Sequence, residues 1–342
     1  MLFQFFLLKY LLRLIITVED IYLVMPAIII GLIHLLPMFF EAKKSTVFGR
    51  FFTTVDGIGM WVSVMFLIEI VFIYIVGSFI AIPQIVIHLL LIIVPILGVY
   101  NYYKAHKLIV NEKIIELDDL SCDINIIHLS DVHFGSVRHK KIIKQISNKL
   151  KELKDSCDIV IISGDLADGT SVVEKDDFIS FRDIDIPIIF TPGNHDFYMG
   201  IEDVIAACDN AGIIVLDNDN YQYGDLNIYG LTYSFDDIKM PTSDEIKSKI
   251  DDNKINIINY HVPYCFEEFT SLGFDIQLSG HTHGGQFYPA VNFANILFKY
   301  NKGLFKNSQG KYIHVTTGVG SMDTPMRWGT DSEIVVLKLK KK

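Results

Sequence analysis

Apolar positions divide the chain into two parts near residue 104. In the first part they form long runs: residues 21–40 contain no Asp, Glu, Lys or Arg over 20 positions, and residues 57–103 contain only Glu69 over 47 positions. A helix needs about 20 mainly apolar residues to cross the hydrocarbon core of a bilayer. The pattern therefore predicts an α-helical transmembrane region, residues 1–103, with strong spans at about 21–40, 58–77 and 84–102.

Two features of this region leave alternatives open. Residues 2–18 are apolar but contain Lys9 and Arg13, so they fit either a fourth span or a helix lying in the membrane interface. No small-residue cleavage site follows, and further spans come after them, which argues against a cleavable signal. Glu69 is costly in lipid and is a functional candidate with His88 as its partner, or else a carboxyl satisfied between helices.

Lysine and arginine in the short loops predict the orientation of the spans. Three basic residues lie between the first two strong spans and three follow the third: Lys43, Lys44, Arg50, Lys104, Lys107 and Lys113. Positively charged loops stay in the cytoplasm. We therefore expect a multi-pass protein of the cell inner (cytoplasmic) membrane with its second part in the cytoplasm.

The second part has the pattern of an α/β domain. Short apolar runs rich in Ile and Val predict strands at 124–129, 159–162, 186–190, 255–258, 275–278 and 313–315. Helical spacing of apolar residues predicts helices at 139–153 and 201–209. Further short runs without helices between them, 213–216 and 226–229, favour two facing sheets. The predicted domain covers residues 122–342, joined to the spans by a linker at 104–121.

Charge and cysteine content exclude some functions. Residues 1–100 hold five basic and five acidic residues, so the net charge of −10 belongs to the rest of the chain. Such acidity disfavours nucleic-acid binding, which needs clustered Lys and Arg. The four cysteines lack CxxC spacing and are expected to be free, buried thiols in a reducing compartment. The sequence indicates no protein partner.

Polar motifs follow most of the predicted strands, and they carry the chemistry. They are Asp131-Val-His133, Gly164-Asp165, Gly193-Asn194-His195-Asp196, His261 and Gly280-His281-Thr282-His283. Carboxylate, amide and imidazole ligands together suit Mn, Fe or Zn better than Ca. Two such cations about 3.5–4 Å apart can clamp a phosphate and activate water for phosphoester hydrolysis.

The order DxH, GD, GNHD, H, GHxH resembles that of the calcineurin-like metallophosphoesterases over about residues 122–338. The resemblance implies a four-layer α/β/β/α sandwich with two divalent metal ions at the strand ends. It assigns one metal to Asp131, His133, Asp165 and His283, and the other to Asp165, Asn194, His261 and His281. It also implies that His195 protonates the leaving oxygen or stabilises the transition state. Asp196 would orient that imidazole, or else cap the following helix.

The longer motif Gly280-His-Thr-His-Gly-Gly-Gln286 is similar to that of the membrane-associated branch, which includes bacterial phosphodiesterases and UDP-2,3-diacylglucosamine diphosphatases. Residues 287–306 combine aromatic side chains with Lys299, Lys302 and Lys306 beside the last ligands. They could rest on a membrane and admit an acyl chain, or they could cover the sandwich core. Arg327 fits either a phosphate contact or a structural ion pair.

We therefore expect a membrane-anchored hydrolase of phosphodiesters or pyrophosphates. A lipid-linked substrate such as UDP-2,3-diacylglucosamine is the leading interpretation, and the bilayer is its other partner. Two alternatives are a phosphodiesterase of soluble nucleotides or glycerophosphodiesters, and a non-catalytic membrane scaffold.

The predicted orientation can be tested with a reporter enzyme that is active only outside the cytoplasm, fused after Lys342. The positive loops predict that this reporter stays silent, while a cytoplasmic reporter at the same position is active. Strong activity of the external reporter would reverse the orientation.

Overall fold

The computed structural model describes residues 1–40, 45–235 and 240–342, so Lys43 and Lys44, used above for orientation, lie outside the described residues. The chain divides into two compact units. The helical unit consists of Met1–His106 with Asp323–Met326, and the sandwich unit of Lys107–Met322 with Arg327–Lys342.

Apolar helices make up the helical unit. They are α1 (Leu2–Arg13), α2 (Ile21–Ile33), α3 (Leu36–Phe40), α4 (Val47–Gly77) and α5 (Gln84–His106). Of these, α4 with 31 residues and α5 with 23 are long and apolar enough to cross a membrane, judged by length and composition. They cover the spans predicted at 58–77 and 84–102, and α4 begins earlier because Thr46 caps it by accepting a hydrogen bond from the Gly49 N–H.

The span predicted at residues 21–40 is not a single helix. Helix α2 ends at Ile33, and α3 begins at Leu36 after a turn. Pro37 explains the break, because it has no N–H to donate to the Ile33 carbonyl and its ring would clash with that carbonyl. Each piece is shorter than the length that a membrane crossing requires.

The predicted pair of Glu69 and His88 does not form among the described residues. The Oε2 atom of Glu69 is buried without a hydrogen-bond partner there. The Nε2 atom of His88 lies instead 3.3 Å from Nε2 of Gln84, one turn earlier on the same helix.

Two six-stranded sheets form the centre of the sandwich unit. Their strands are β1 (Leu108–Leu117), β2 (Ile124–Leu129), β3 (Ile159–Ser163), β4 (Ile188–Thr191), β5 (Ile214–Val215), β6 (Asp219–Tyr223), β7 (Leu226–Leu231), β8 (Ile255–Tyr260), β9 (Ile276–Ser279), β10 (Gly303–Lys306), β11 (Tyr312–Val315) and β12 (Ser332–Lys341). The first sheet has the order β1-β12-β2-β3-β4-β5 and the second β10-β11-β9-β8-β7-β6. Strands β2 to β5 are mutually parallel, as are β7, β8, β9 and β11.

Helices cover the outer face of each sheet. On the first sheet they are α6 (His139–Leu153) and α7 (Ile201–Ala211), whose Ile142, Ile146 and Val204 belong to one core cluster with β2, β3 and β4. A second cluster joins the facing sides of the two sheets. On the second sheet, α8 (Ser243–Lys247) and α9 (Phe266–Leu272) contribute Ile246 and Phe269 to a third cluster. The expected α/β/β/α sandwich with two facing sheets is thus confirmed.

The linker predicted at residues 104–121 is wrong for most of its length. Strand β1 occupies residues 108–117 and pairs in parallel with β12 along its full length. Only Ile115 in β1 is buried, because β1 is an edge strand with one polar side. Its charged residues Glu112, Lys113 and Glu116 hide the alternation that would have identified it.

The cysteine prediction holds in part. All four cysteines are free thiols; Cys157 and Cys208 are buried as expected, whereas Cys122 and Cys265 are exposed.

Candidate metal centre

The predicted ligands lie beyond the carboxyl ends of parallel strands. Asp131 and Asp165 each come two residues after a strand of the first sheet, β2 and β3. In the second sheet, His261 directly follows β8 and His281 follows β9 by two residues. Neighbouring parallel strands end at the same edge of their sheet, so these side chains converge although they are far apart in sequence.

Unusual backbone geometry turns the ligands inward. Five of the seven predicted ligands have positive φ: Asp131 (51°), His133 (48°), Asp165 (52°), His281 (69°) and His283 (49°). A positive φ is uncommon for residues other than glycine and clusters at functional sites, where it is held by surrounding structure.

Two glycines of the motifs are required by close approach. A Cβ on Gly193 would lie 2.3 Å from Oδ1 of Asp165. A Cβ on Gly280 would lie 1.9 Å from Oγ of Ser130 and 2.2 Å from Oδ2 of Asp131. Both glycines therefore let one ligand loop pack directly on another, which explains their place in GNHD and GHxH.

The first group of ligand atoms joins Asp131, His133 and His283. The Nε2 atom of His283 lies 3.3 Å from Oδ1 of Asp131 and 3.0 Å from Nε2 of His133. All three ligand atoms lie within 4.8 Å of one another, as atoms that share one cation must.

The second group joins Asp165, His261 and His281. Oδ2 of Asp165 lies 3.1 Å from Nε2 of His261, which lies 3.3 Å from Nδ1 of His281. The same Oδ2 atom is 3.9 Å from Nε2 of His133 in the first group. Asp165 thus stands between the two groups, where the resemblance placed a bridging carboxylate.

The residues present fit divalent cations. Asn194 is buried, and its Oδ1 atom has no hydrogen-bond partner among the described residues. A buried acceptor without a donor costs free energy, and a cation coordinated by this oxygen would satisfy it. The donor set of imidazole nitrogen with carboxylate and amide oxygen suits Mn, Fe or Zn.

A backbone hydrogen bond on the far ring nitrogen orients the imidazole of His261. Its Nδ1 atom donates to the backbone carbonyl of Ser163 at 2.7 Å, which directs Nε2 towards Asp165 and the second group. Histidine ligands commonly have such a support on the other ring nitrogen. No sequence motif indicates this contact, because the acceptor is a backbone atom.

Burial keeps several of these imidazoles neutral. It lowers the pKa of His281 to about 4, that of His133 to about 3, and that of His283 well below its usual value. Neutral imidazole is the form that binds metal. These three side chains can therefore act as ligands at neutral pH without first losing a proton.

The charged groups of the centre are coupled through Asp165. Burial alone would raise its pKa, but the charge and hydrogen bond of His261, together with the neighbouring His133 and His195, outweigh burial and bring the pKa of Asp165 below its usual value. Burial favours neutral His261, yet the charge and hydrogen bond of Asp165, together with Asp131 and the Ser163 carbonyl, outweigh burial and raise the pKa of His261 to about 9. In the absence of cations, His261 and Asp165 thus form an ion pair. A cation would displace the proton of that pair.

The role predicted for Asp196 is wrong. Its carboxylate accepts hydrogen bonds from the backbone N–H groups of Asp165 (2.9 Å), Ala167 (2.8 Å) and Gly193 (2.8 Å). It neither orients His195 nor caps α7, whose N-cap is Gly200. Through these hydrogen bonds Asp196 connects the loop after β3 with the loop after β4.

His195 occupies the open side of the centre. It is half-buried, and its Nδ1 atom lies 2.8 Å from the backbone carbonyl of Asp168, which takes the supporting place predicted for Asp196. Its ring also lies near His133 and Asp165, close enough for the three to hold an ion together. The geometry therefore allows both the predicted acid role and a ligand role.

Arg327 is unsuited to the predicted phosphate contact. It is fully buried, and its guanidinium donates to the carbonyls of Thr317, Gly318, Gly320 and Asp331 at 2.6–3.2 Å. The Gly320 N–H in turn donates to the Asp131 carbonyl at 2.7 Å. Arg327 thus holds the loop that packs against Asp131, through backbone contacts rather than the expected ion pair.

Comparison with known proteins identifies the sandwich unit. Residues 124–285 match the family model described as calcineurin-like phosphoesterase. The unit contains a calcineurin-like metallophosphoesterase domain. The motifs from which the resemblance was inferred lie within this match, from Asp131 to His283.

The relatives are metallophosphoesterases of several lineages. An uncharacterised metallophosphoesterase of Helicobacter pylori is 30% identical over 67% of this chain and 63% of its own length. Another from Aquifex aeolicus is 27% identical over 72% of this chain and 97% of its own length. A transmembrane protein with a metallophosphoesterase domain from Danio rerio is 26% identical over 74% and 62%. The chain thus spans about 63% of the length of the Helicobacter relative.

Replacement of the central carboxylate tests the binuclear arrangement. Wild-type protein should contain about two transition-metal ions per chain. Asp165→Asn should lose at least one of them, because an amide has no charge and a single acceptor oxygen for two cations. Asp183→Asn, at an exposed ion pair with Lys151, is the matched control and should keep both ions. Two tightly bound ions with full activity in Asp165→Asn would refute the bridging role.

Proposed function

We propose that this protein is a membrane-anchored, binuclear metal-dependent hydrolase of phosphodiester or pyrophosphate bonds, acting on a lipid-linked substrate. A molecule like UDP-2,3-diacylglucosamine is the best single candidate. The observation that carries the hydrolase part is the convergence of Asp131, Asp165 and the ligand imidazoles at one edge of the sandwich.

The centre suits attack on a phosphorus atom. Bound divalent cations would supply charge neutralisation for the phosphate and activation of the attacking water. The chain contributes the buried surroundings, in which electrostatic interactions are stronger than in water. Gly193 and Gly280 allow the loops that carry the predicted ligands to pack directly on one another.

His195 is suited to deliver a proton to the leaving oxygen. A hydrogen bond from Nδ1 to the Asp168 carbonyl fixes the ring, and the second proton of the imidazolium is then on Nε2. The half-exposed position leaves this imidazole accessible to a substrate, whereas His133 and His261 are buried.

Removal of the His195 imidazole should lower turnover by a factor that depends on the leaving group. His195→Ala should keep both metal ions and lose roughly 10²–10⁴ in turnover on alkyl diesters. The loss should shrink on aryl phosphodiesters, whose leaving oxygen needs no proton. A uniform loss across a series of leaving groups would assign His195 to positioning, and loss of a metal ion would make it a ligand.

Helix α10 (Ala290–Leu297) supports the lipid part of the proposal. It lies within residues 287–306, the segment that combines aromatic side chains with three lysines. Val291 and Ala294 are buried on its inner side, so part of the segment does cover the core. On its outer side Phe293, Ile296 and Leu297 are 61%, 80% and 74% exposed. Exposed apolar side chains gathered on one helix are typical of membrane or ligand contacts.

The same segment reaches the metal centre. The ring of Phe298, directly after α10, lies 6.1 Å from the ring of His281 and stacks on Tyr264 at 5.9 Å. An acyl chain lying along α10 would therefore extend towards a phosphate bound at the centre. Helices α4 and α5 would anchor the protein in the bilayer, and the positive loops favour a cytoplasmic catalytic unit.

Replacing the outer side of α10 tests the lipid substrate. The triple variant Phe293→Ser, Ile296→Ser and Leu297→Ser should slow hydrolysis of an acylated substrate by about 10-fold or more, since burying each such side chain is worth about 1.5–3 kcal/mol. Hydrolysis of a short water-soluble diester should hardly change. Asn292→Ser, exposed on the same helix, is the control. Equal losses on both substrates would favour a phosphodiesterase of soluble substrates.

A further inference from the structure

A second group of aromatic side chains flanks the metal centre, near His195. It consists of Phe197, Tyr198, Tyr233 and Phe235, called here the aromatic patch. Phe235 is its centre, with ring centroids 5.9 Å from Tyr198, 6.3 Å from Phe197 and 5.0 Å from Tyr233. Phe235 is 63% exposed and Tyr198 51% exposed. Adjoining aromatic rings left this open to solvent are typical of binding surfaces.

Tyr198 is held in a defined position despite its exposure. Its ring centroid lies 4.7 Å from that of His195, and its hydroxyl accepts a hydrogen bond from Nδ2 of Asn194 at 3.2 Å. Gly169 approaches it from the other side, since a Cβ there would lie 2.6 Å from Cβ of Tyr198. The patch is thus fixed to a predicted metal ligand and to the predicted acid.

The aromatic patch and the proposed acyl-binding segment, α10 with Phe298, contact different residues of the centre. Tyr198 touches His195 and Asn194, whereas Phe298 approaches His281. A phosphate bound at the centre carries two substituents. One of them would therefore contact the aromatic patch, and the other would contact α10 and Phe298. The substituent beside His195 is the one whose oxygen leaves.

We propose that the aromatic patch binds the planar heterocyclic base of a nucleoside phosphate, the leaving part of the substrate. This inference rests on the proposed function and names the second substituent of that substrate. Aromatic side chains stack on bases of every kind, because each base has a π face. The rings of Tyr198 and Phe235 are too close, at 5.9 Å, for a base between them. The base therefore stacks on their exposed side.

The placement defines the bond that breaks. In a nucleoside diphosphate joined to a lipid, water adds to the phosphorus on the lipid side. The bond from that phosphorus to the bridging oxygen breaks, and the bridging oxygen leaves with the nucleoside monophosphate. A proton from His195 neutralises this oxygen, and the water proton goes to solvent. The products are a lipid monophosphate and a nucleoside monophosphate.

Calorimetric titration of the full-length, manganese-loaded protein in detergent tests the inference without turnover. Uridine 5′-monophosphate, adenosine 5′-monophosphate and ribose 5-phosphate share the sugar phosphate and differ in the base. Wild-type protein should bind both nucleotides about 10-fold or more tighter than ribose 5-phosphate, the usual effect of stacking. Phe235→Ala should abolish most of this difference in affinity and leave the affinity for ribose 5-phosphate unchanged. Phe235→Trp should restore the tighter binding of the nucleotides. Tyr264→Ala, an exposed aromatic on the acyl side, should keep the difference.

The outcomes separate this inference from the proposed function. If wild-type protein binds nucleotides and ribose 5-phosphate equally, the base subsite is refuted, and the hydrolase proposal stands. If Phe235→Ala instead weakens binding to phosphatidylglycerol vesicles and leaves the nucleotide difference intact, the patch is a membrane contact. If neither ribose 5-phosphate nor inorganic phosphate binds to the manganese-loaded protein, the proposed function itself fails.

Discussion

Burial of charged and basic groups at the strand ends is the constraint on which this structure depends. Asp131 and Asp165 are almost fully buried within a few ångströms of imidazole nitrogens. Two of these nitrogens, Nε2 of His133 and Nε2 of His283, lie only 3.0 Å apart. Buried charges persist in proteins when they are paired or coordinate metals. Cations bound by the predicted ligands would neutralise these carboxylates and satisfy the imidazole nitrogens, so the ions would stabilise the fold as well as supply the chemistry.

Asp196 and Arg327, near the centre, hold its loops together. Asp196 gathers three backbone N–H groups from the loops after β3 and β4, and Arg327 gathers carbonyls from the loop that packs on Asp131. The guanidinium of Arg327 is charged, and hydrogen bonds to charged groups are stronger than those between neutral groups. Positive φ angles at five predicted ligands would otherwise be unfavourable, and these hydrogen bonds offset that strain.

The sequence predicted the sandwich and the convergence of its motifs because buried parallel strands and their following loops have a clear pattern. Strand β2 and helix α6 were predicted with their observed bounds. Strand β1 was missed because an edge strand with charged residues lacks that pattern. The break at Pro37 was missed because hydropathy does not reflect the missing N–H of proline. The hydrogen-bond partners of Asp196 and His195, and most of those of Arg327, are backbone atoms, which no side-chain motif specifies. The metal-ligand roles and the acid role of His195 remain predictions.

X-ray absorption spectroscopy of the metal-loaded protein tests the central claim most directly. The account predicts a first shell of nitrogen and oxygen alone, and a metal–metal distance of about 3.5–4 Å. The cysteines lie outside the predicted ligand set, so no sulfur should appear in that shell. A spectrum with sulfur ligation, or one without a metal–metal vector at two ions per chain, would contradict the account.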